Sequence, residues 1–221
     1  MKPSFWLPAF TICALIAPES RAAVLSGTLT VPPAPATEHH MNAYPGRANA
    51  MTFHPMAARG AVNDAVLWIE RIPAATDSAL AQVSSARPKL AQLEQRFTPR
   101  VVSVAAGGKV DFPNQDPIYH NVFSVSATRR FDLGKFSKGQ SRSVTFPKAG
   151  LVNVYCDIHS DMAAFIVVTP NHSFTQPDAE GSYSLPDLPT GKYTLHVWHP
   201  DFGTFEREVD LSGDLTLALS Y

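Results

Sequence analysis

Three side chains with an affinity for soft metal ions fall in one short run, Cys156-x2-His159-x2-Met162. The residues before them, Leu151 to Tyr155, alternate towards a strand, and Ala163 to Thr169 form an apolar run of strand length. The pattern predicts that one strand delivers Cys156 at its end, a tight loop carries His159, and Met162 opens the return strand. One more imidazole from a neighbouring strand end would close a four-donor site. His120 is the candidate, because it opens the run His120 to Val125 directly after Asn114-Gln115-Asp116-Pro117. Thiolate and thioether suit Cu(I), and imidazole also serves Cu(II), so the expected ligand set of His120, Cys156, His159 and Met162 tolerates copper in both oxidation states. With four protein donors no position stays open for substrate, which favours moving electrons over breaking bonds. Zinc also accepts one Cys and two His. A methionine in fourth place and the lack of a second cysteine in the loop argue against structural zinc, and also against a binuclear copper centre.

The elements that must position these residues read as short strands separated by turns. Val24 to Val31 and Val62 to Glu70 are two strand candidates, and Pro73 to Ser85 is a linker or short irregular helix. Leu90 to Gln95, Val101 to Ala105, Lys109 to Phe112, His120 to Val125, Ser141 to Phe146, Leu151 to Cys156 and Ala163 to Thr169 then follow closely, which indicates a β-sandwich. Gly181 to Leu185, Lys192 to Trp198, Thr204 to Leu211 and Leu215 to Leu219 supply strands for a second, smaller one. A formal net charge of -1 excludes a global field that would draw the chain to nucleic acid or an anionic membrane.

The first residues carry the pattern of an export signal. Lys2 gives a positive start, Phe5 to Ala17 is a short apolar core, and Ser20-Arg21-Ala22 places small residues before a cut at Ala23. The apolar run is too short for a comfortable membrane span. Cleavage would remove Cys13 and leave Cys156 as the only cysteine, so no intramolecular disulfide is expected. A lone thiol in the periplasm is a liability unless a metal occupies it.

Beyond the ligand loop, Phe97-x-Pro99, Gly107-Gly108-Lys109-Val110-Asp111-Phe112-x-Asn114-x-Asp116-x3-His120-Asn121-Val122 and Gly150 to Val168 resemble the cupredoxins, the blue copper proteins. The Cys-x2-His-x2-Met loop is similar to the short loop of the amicyanin type within the plastocyanin-like group. The resemblance covers about residues 88 to 169. It implies one type 1 copper ion, the ligands His120, Cys156, His159 and Met162, and an Asn121 side chain that ties the two ligand loops together. It also implies that the outer edge of His159 reaches the surface, and around it the sequence supplies Pro117, Ile118, Met162 and Ala163 as a largely apolar rim. The flanks resemble periplasmic proteins labelled "methylamine utilisation", a label that does not establish a partner. Asp178 to Leu195 looks like the carboxypeptidase-regulatory, transthyretin-like sandwich, whose opening strands are matched by Ser26 to Val31 and Asp64 to Ile69.

The expected fold is therefore all-β, a cupredoxin Greek-key β-sandwich plus a second small transthyretin-like β-sandwich. The organisation reads as a signal peptide over 1–22, N-terminal strands of the second sandwich over 23–72, a linker over 73–87, the copper domain over 88–169, and the rest of the second sandwich over 170–221. In this reading the copper domain is inserted into the transthyretin-like one; two consecutive domains are the alternative. The expected function is that of a periplasmic electron carrier, not an enzyme, with a dehydrogenase or cytochrome as redox partner and neither nucleic acid nor a membrane span. A copper carrier or sensor, or an interaction module, is the rival class. His39, His40, Met41, Met51, His54 and Met56 favour the carrier if they bind copper; otherwise they are incidental to a polar loop. Arg129, Arg130, Lys135, Lys138 and Arg142 form a basic loop, either solvated or able to steer an acidic partner. His196 and His199 lie three apart on a strand, so alternation sends them to opposite faces.

Overall fold

The computed structural model describes residues 21–33, 60–84, 87–159 and 161–221. The expected signal core and the whole His/Met group from His39 to Met56 lie outside these residues. In chain order the strands are β1 (Ala22–Ala23), β2 (Leu25–Thr30) and β3 (Val66–Ile69), then helix α1 (Ala74–Val83). β4 (Ala91–Leu93), β5 (Arg96–Thr98), β6 (Val101–Ala105), β7 (Lys109–Pro113), β8 (His120–Val125), β9 (Arg130–Phe136) and β10 (Ser141–Thr145) follow. β11 (Gly150–Tyr155) and β12 (Ala163–Thr169) flank the Cys-His-Met loop. The tail holds β13 (Phe174–Thr175), β14 (Ser182–Ser184), β15 (Leu188–Pro189), β16 (Gly191–His199), β17 (Gly203–Leu211) and β18 (Leu215–Ser220). Among the described residues the fold is all-β apart from that helix and one short 3-10 turn.

Two sets of sheets result. A five-stranded sheet runs β6-β12-β11-β8-β9, with the β7–β10 and β4–β5 pairs beside it. Their shared core includes Leu90, Phe112, Val122, Phe136, Phe146 and Ile166. The second set is a four-stranded sheet, β13-β3-β16-β17, and a three-stranded sheet, β14-β2-β18. Leu25, Leu29, Leu67, Ile69, Leu195 and Leu211 fill the space between them. Strands from residues 22–69 thus bond to strands from residues 174–220, among them β2 to β18 in parallel and β3 to β16 antiparallel.

β12 explains its own composition. Ala163-Ala164-Phe165-Ile166-Val167-Val168 is buried throughout, because both of its faces are covered. Ala164, Ile166 and Val168 face the first core, while Phe165 and Val167 pack with Val66, Val101, Trp68 and Trp198 across the junction with the second sandwich. Removing a side chain like that of Ile166 from water is worth roughly 1.5–3 kcal/mol.

A charged knot closes the same junction. Arg100 donates to Asp64 at 3.0 Å and forms a two-pronged pair with Asp201 at 2.9 Å on both arms. Burial opposes ionisation of Asp201, but the Arg100 guanidinium and the Gly60 N–H outweigh it and hold the carboxyl at about 2. Burial dominates at Asp64 and pushes its carboxyl up despite Arg100.

The structure revises four local expectations. Val62 to Glu70 is a 3-10 turn at Val62–Asp64 followed by β3, and the turn aims Asp64 inward at Arg100. Pro73 to Ser85 holds a regular α-helix, started by Pro73 at the N-cap and burying none of its residues. The segment from Arg129 to Arg142 is strand β9, a turn and the start of β10, since Phe131 and Leu133 pack inward between outward polar residues. Leu90 to Gln95 keeps only Ala91–Leu93 as strand, because Glu94 and Gln95 adopt φ of 52° and 56° and turn the chain into β5. Among the described residues no helix is long and apolar enough to cross a membrane.

Candidate metal centre

His120 sits at the first position of β8, fully buried, where a loop locked by its own side chains meets the sheet. Within that loop Asn114 accepts the Asp116 N–H at 2.9 Å and donates to the carbonyls of Ile118 and Phe136, each at 2.9 Å. A register shift between Asn121 and Phe123 in the β8–β9 pairing follows immediately, a device that re-aims side chains at sheet ends.

Asp116 then fixes the imidazole. Its Oδ2 lies 2.7 Å from His120 Nε2, and an ionised carboxylate only accepts, so Nε2 carries the proton and Nδ1 keeps its lone pair. The carboxylate is itself held by the backbone N–H groups of Glu94 and Gln95, the two positive-φ residues of the β4–β5 turn. Burial opposes ionisation of Asp116, but Gln95, His120 and Glu94 together bring its carboxyl below the usual value. Strained backbone at this turn is thus matched by two hydrogen bonds to a group that acts on His120.

Cys156 follows β11, and the loop after it is closed by its own backbone. The Cys156 N–H donates to Met162 O at 3.2 Å, and the Met162 N–H donates to His159 O at 3.0 Å. Cys156 and Met162 are both buried in the first core, whereas His159 is half-buried. The ligand atoms of His120, Cys156 and His159 lie within 4.8 Å of one another. His120 Nδ1 is 3.1 Å from His159 Nδ1 and 3.9 Å from Cys156 Sγ. Partial burial and the neighbouring His120 push the His159 imidazole towards its neutral form, which has a lone pair to offer. Two imidazoles, a thiol free of any disulfide and a buried thioether on the same loop suit copper, with its soft and borderline ligands.

Of the residues expected from sequence, His120, Cys156 and His159 are brought together, and Met162 lies on the same closed loop. Asn121 behaves differently from expectation. Its Nδ2 donates to Asp132 on β9 at 2.7 Å, and its buried Oδ1 has no hydrogen-bond partner among the described residues, where it ties β8 to β9. The rim also differs. Met162 and Ala163 are buried, and the exposed apolar side chains are Ile118 and Tyr119, which follow Pro117, and Ile158, which precedes His159. His196 stacks on Trp68 with centroids 5.1 Å apart, while His199 faces the second core and bonds to the Ala61 carbonyl and the Asp201 N–H. The Glu94–Gln95 clamp was missed from sequence; for Asp116 the available signal was a carboxylate four residues before His120.

No protein-family profile matches this chain, and no curated protein matches it. Solved structures do. A reduced amicyanin variant is 24% identical over 40% of this chain and 88% of its own, with a TM-score of 0.36. A purple cupredoxin from Nitrosopumilus maritimus is 17% identical over 37% of this chain and 99% of its own, with a TM-score of 0.35. A copper-containing nitrite reductase from Thermus scotoductus is 24% identical over 38% of this chain, with a TM-score of 0.36. This chain spans only 22% of that reductase. Each of these likenesses reaches less than half of the chain.

Proposed function

We propose that the protein is an exported electron carrier that binds one type 1 copper ion through His120, Cys156, His159 and Met162. The observation that carries this reading is the convergence of a buried thiol and two imidazoles within 4.8 Å, one of them oriented by Asp116. Copper held there supplies a one-electron couple between Cu(I) and Cu(II). The chain's own contribution is rigidity and dryness. Asp116 keeps Nδ1 of His120 turned inward, the two backbone bonds of the 156–162 loop limit its movement, and the first core excludes water. His159 is the half-buried member, and the exposed Ile118, Tyr119 and Ile158 give its surroundings an apolar surface suited to brief docking. The partner is then a periplasmic redox protein, a dehydrogenase or a cytochrome. A buried set of four protein donors disfavours copper delivery, which needs exchangeable ligands.

We read residues 88–169 as inserted within the flanking sandwich, a reading supported by the pairing of β2 and β3 with tail strands. Potentiometric titration of the copper-loaded mature protein tests the function. One reversible one-electron step, with one copper per chain, is expected. Copper that binds but shows no reversible step would contradict the carrier role.

A further inference from the structure

β9 is an edge strand of the five-stranded sheet, and the flank it forms with the start of β10 is strongly cationic. Arg130, Lys135, Lys138 and Arg142 are all exposed, and none of them makes an ion pair among the described residues. Asp132, the carboxylate on β9 itself, lies among them, its Oδ1 accepting from the Asn121 amide and the Gly134 N–H. Arg142 lies 4.9 Å over the Phe136 ring, which holds one charge in place. Four cations against one carboxylate thus follow β9, roughly 20 Å long as a seven-residue strand, and the turn into β10, forming a stripe of net positive charge.

One end of this stripe reaches the metal centre. Phe136 pairs with His120 and Lys135 with Asn121 across β8. The Gly139 N–H donates to the Asn114 carbonyl at 2.8 Å, which places Lys138 beside the loop that carries Asp116 and Ile118. Exposed Ile118 and Tyr119 therefore stand next to an unpaired cationic flank. An apolar contact bordered by charge on one side matches the anatomy of a protein interface. A lipid surface would need a broader basic face than one strand edge, and exposed Asp157 follows Cys156 on the ligand loop.

Resting on the proposed carrier role, we infer that the β9–β10 flank is the docking surface for an acidic polypeptide, the partner's carboxylates meeting Lys135, Lys138, Arg130 and Arg142 while an apolar contact forms at Ile118 and Tyr119. The flank selects the partner by charge and brings it to the copper end of the sheet.

The probe is a 20-residue poly-L-glutamate, titrated into the copper-free and the copper-loaded protein at low and moderate salt. Heparin and phosphatidylglycerol vesicles serve as the other anionic surfaces. K135E/K138E is compared with K192E/R207E, which makes the same change in net charge on exposed residues of the second sandwich. The expected result is roughly tenfold weaker poly-L-glutamate binding for K135E/K138E at low salt, little change for K192E/R207E, and a loss of contrast as salt screens the charges. Equal losses in both variants, or none in either, would overturn the inference. So would a clear preference for heparin or vesicles. Self-association of K135E/K138E with unaltered poly-L-glutamate binding would also overturn it, because the cations would then be guards of an open edge. Binding to the copper-free protein isolates the flank from the carrier role, which stands or falls with the redox titration.

Discussion

At the residue scale, the arrangement of His120 depends on a carboxylate that is not a ligand. Asp116 lies 2.7 Å from Nε2 and is gripped in turn by the Glu94 and Gln95 N–H groups. Replacing it with Asn keeps the size but allows the amide to present either an acceptor or a donor to Nε2. The orientation of the ring is then no longer imposed, and partners of this kind typically contribute 10–100-fold to metal affinity. D116N should therefore weaken copper binding by roughly tenfold or more, read by competition with a Cu(I) chelator, with the thermal unfolding of the copper-free protein changed much less. Unchanged affinity would show that the loop, not the carboxylate, orients His120. The proposed ligand residues stand out in the sequence because Cys156, His159 and Met162 share one turn between two strands, β11 and β12. The clamp behind them does not, since Glu-Gln carries no turn signature and its positive φ values are imposed by the contacts it makes.

At the element scale, β2 shows what sequence pattern conveys and what it hides. Alternation over Val24 to Val31 predicted a strand, and Leu25–Thr30 is one. The Gly in its middle gave no hint of its purpose. A Cβ on Gly27 would lie 1.9 Å from the Leu217 carbonyl oxygen, so β18 can run beside β2 only because that side chain is missing. Gly27→Ala must push the two strands apart, at a cost of about 3 kcal/mol or more. The expected outcome is faster proteolysis of residues 182–220 with residues 88–169 still protected, followed by mass spectrometry. If the tail strands keep their protection, the close approach of β2 to β18 does not govern that sandwich. The basic segment from Arg129 to Arg142 was misread as loop for a related reason: an edge strand with charges on its outer face lacks a continuous apolar run, and only Phe131, Leu133 and Phe136 betray the inward face.

At the scale of the whole molecule, the two sandwiches meet through Phe165, Val167, Trp68 and Trp198 and through the Arg100 knot. Sequence conveyed the existence of two strand-rich parts, but a buried Arg between two Asp residues separated by more than a hundred positions leaves no local pattern. Asp201 is held at about 2, below its ordinary 3.8, so its ionised form stabilises the folded state. That contribution, about 2 kcal/mol from the shift, is fully present above the unfolded value and is lost as pH falls from about 4 through about 2. Asp201→Asn should lower the urea unfolding free energy by about 2 kcal/mol at pH 7, and the gap from wild type should close as pH approaches 2. A gap that stays constant over that range would mean the charge of Asp201 is not what joins the sandwiches.

The central claim is that Cys156 is a thiolate ligand of one copper ion, and visible absorption of the purified, copper-loaded mature protein tests it most directly. An intense thiolate-to-copper band in the wild type, abolished in Cys156→Ser, is the predicted result. Copper-loaded wild type without colour, or a band that survives in Cys156→Ser, would contradict the account.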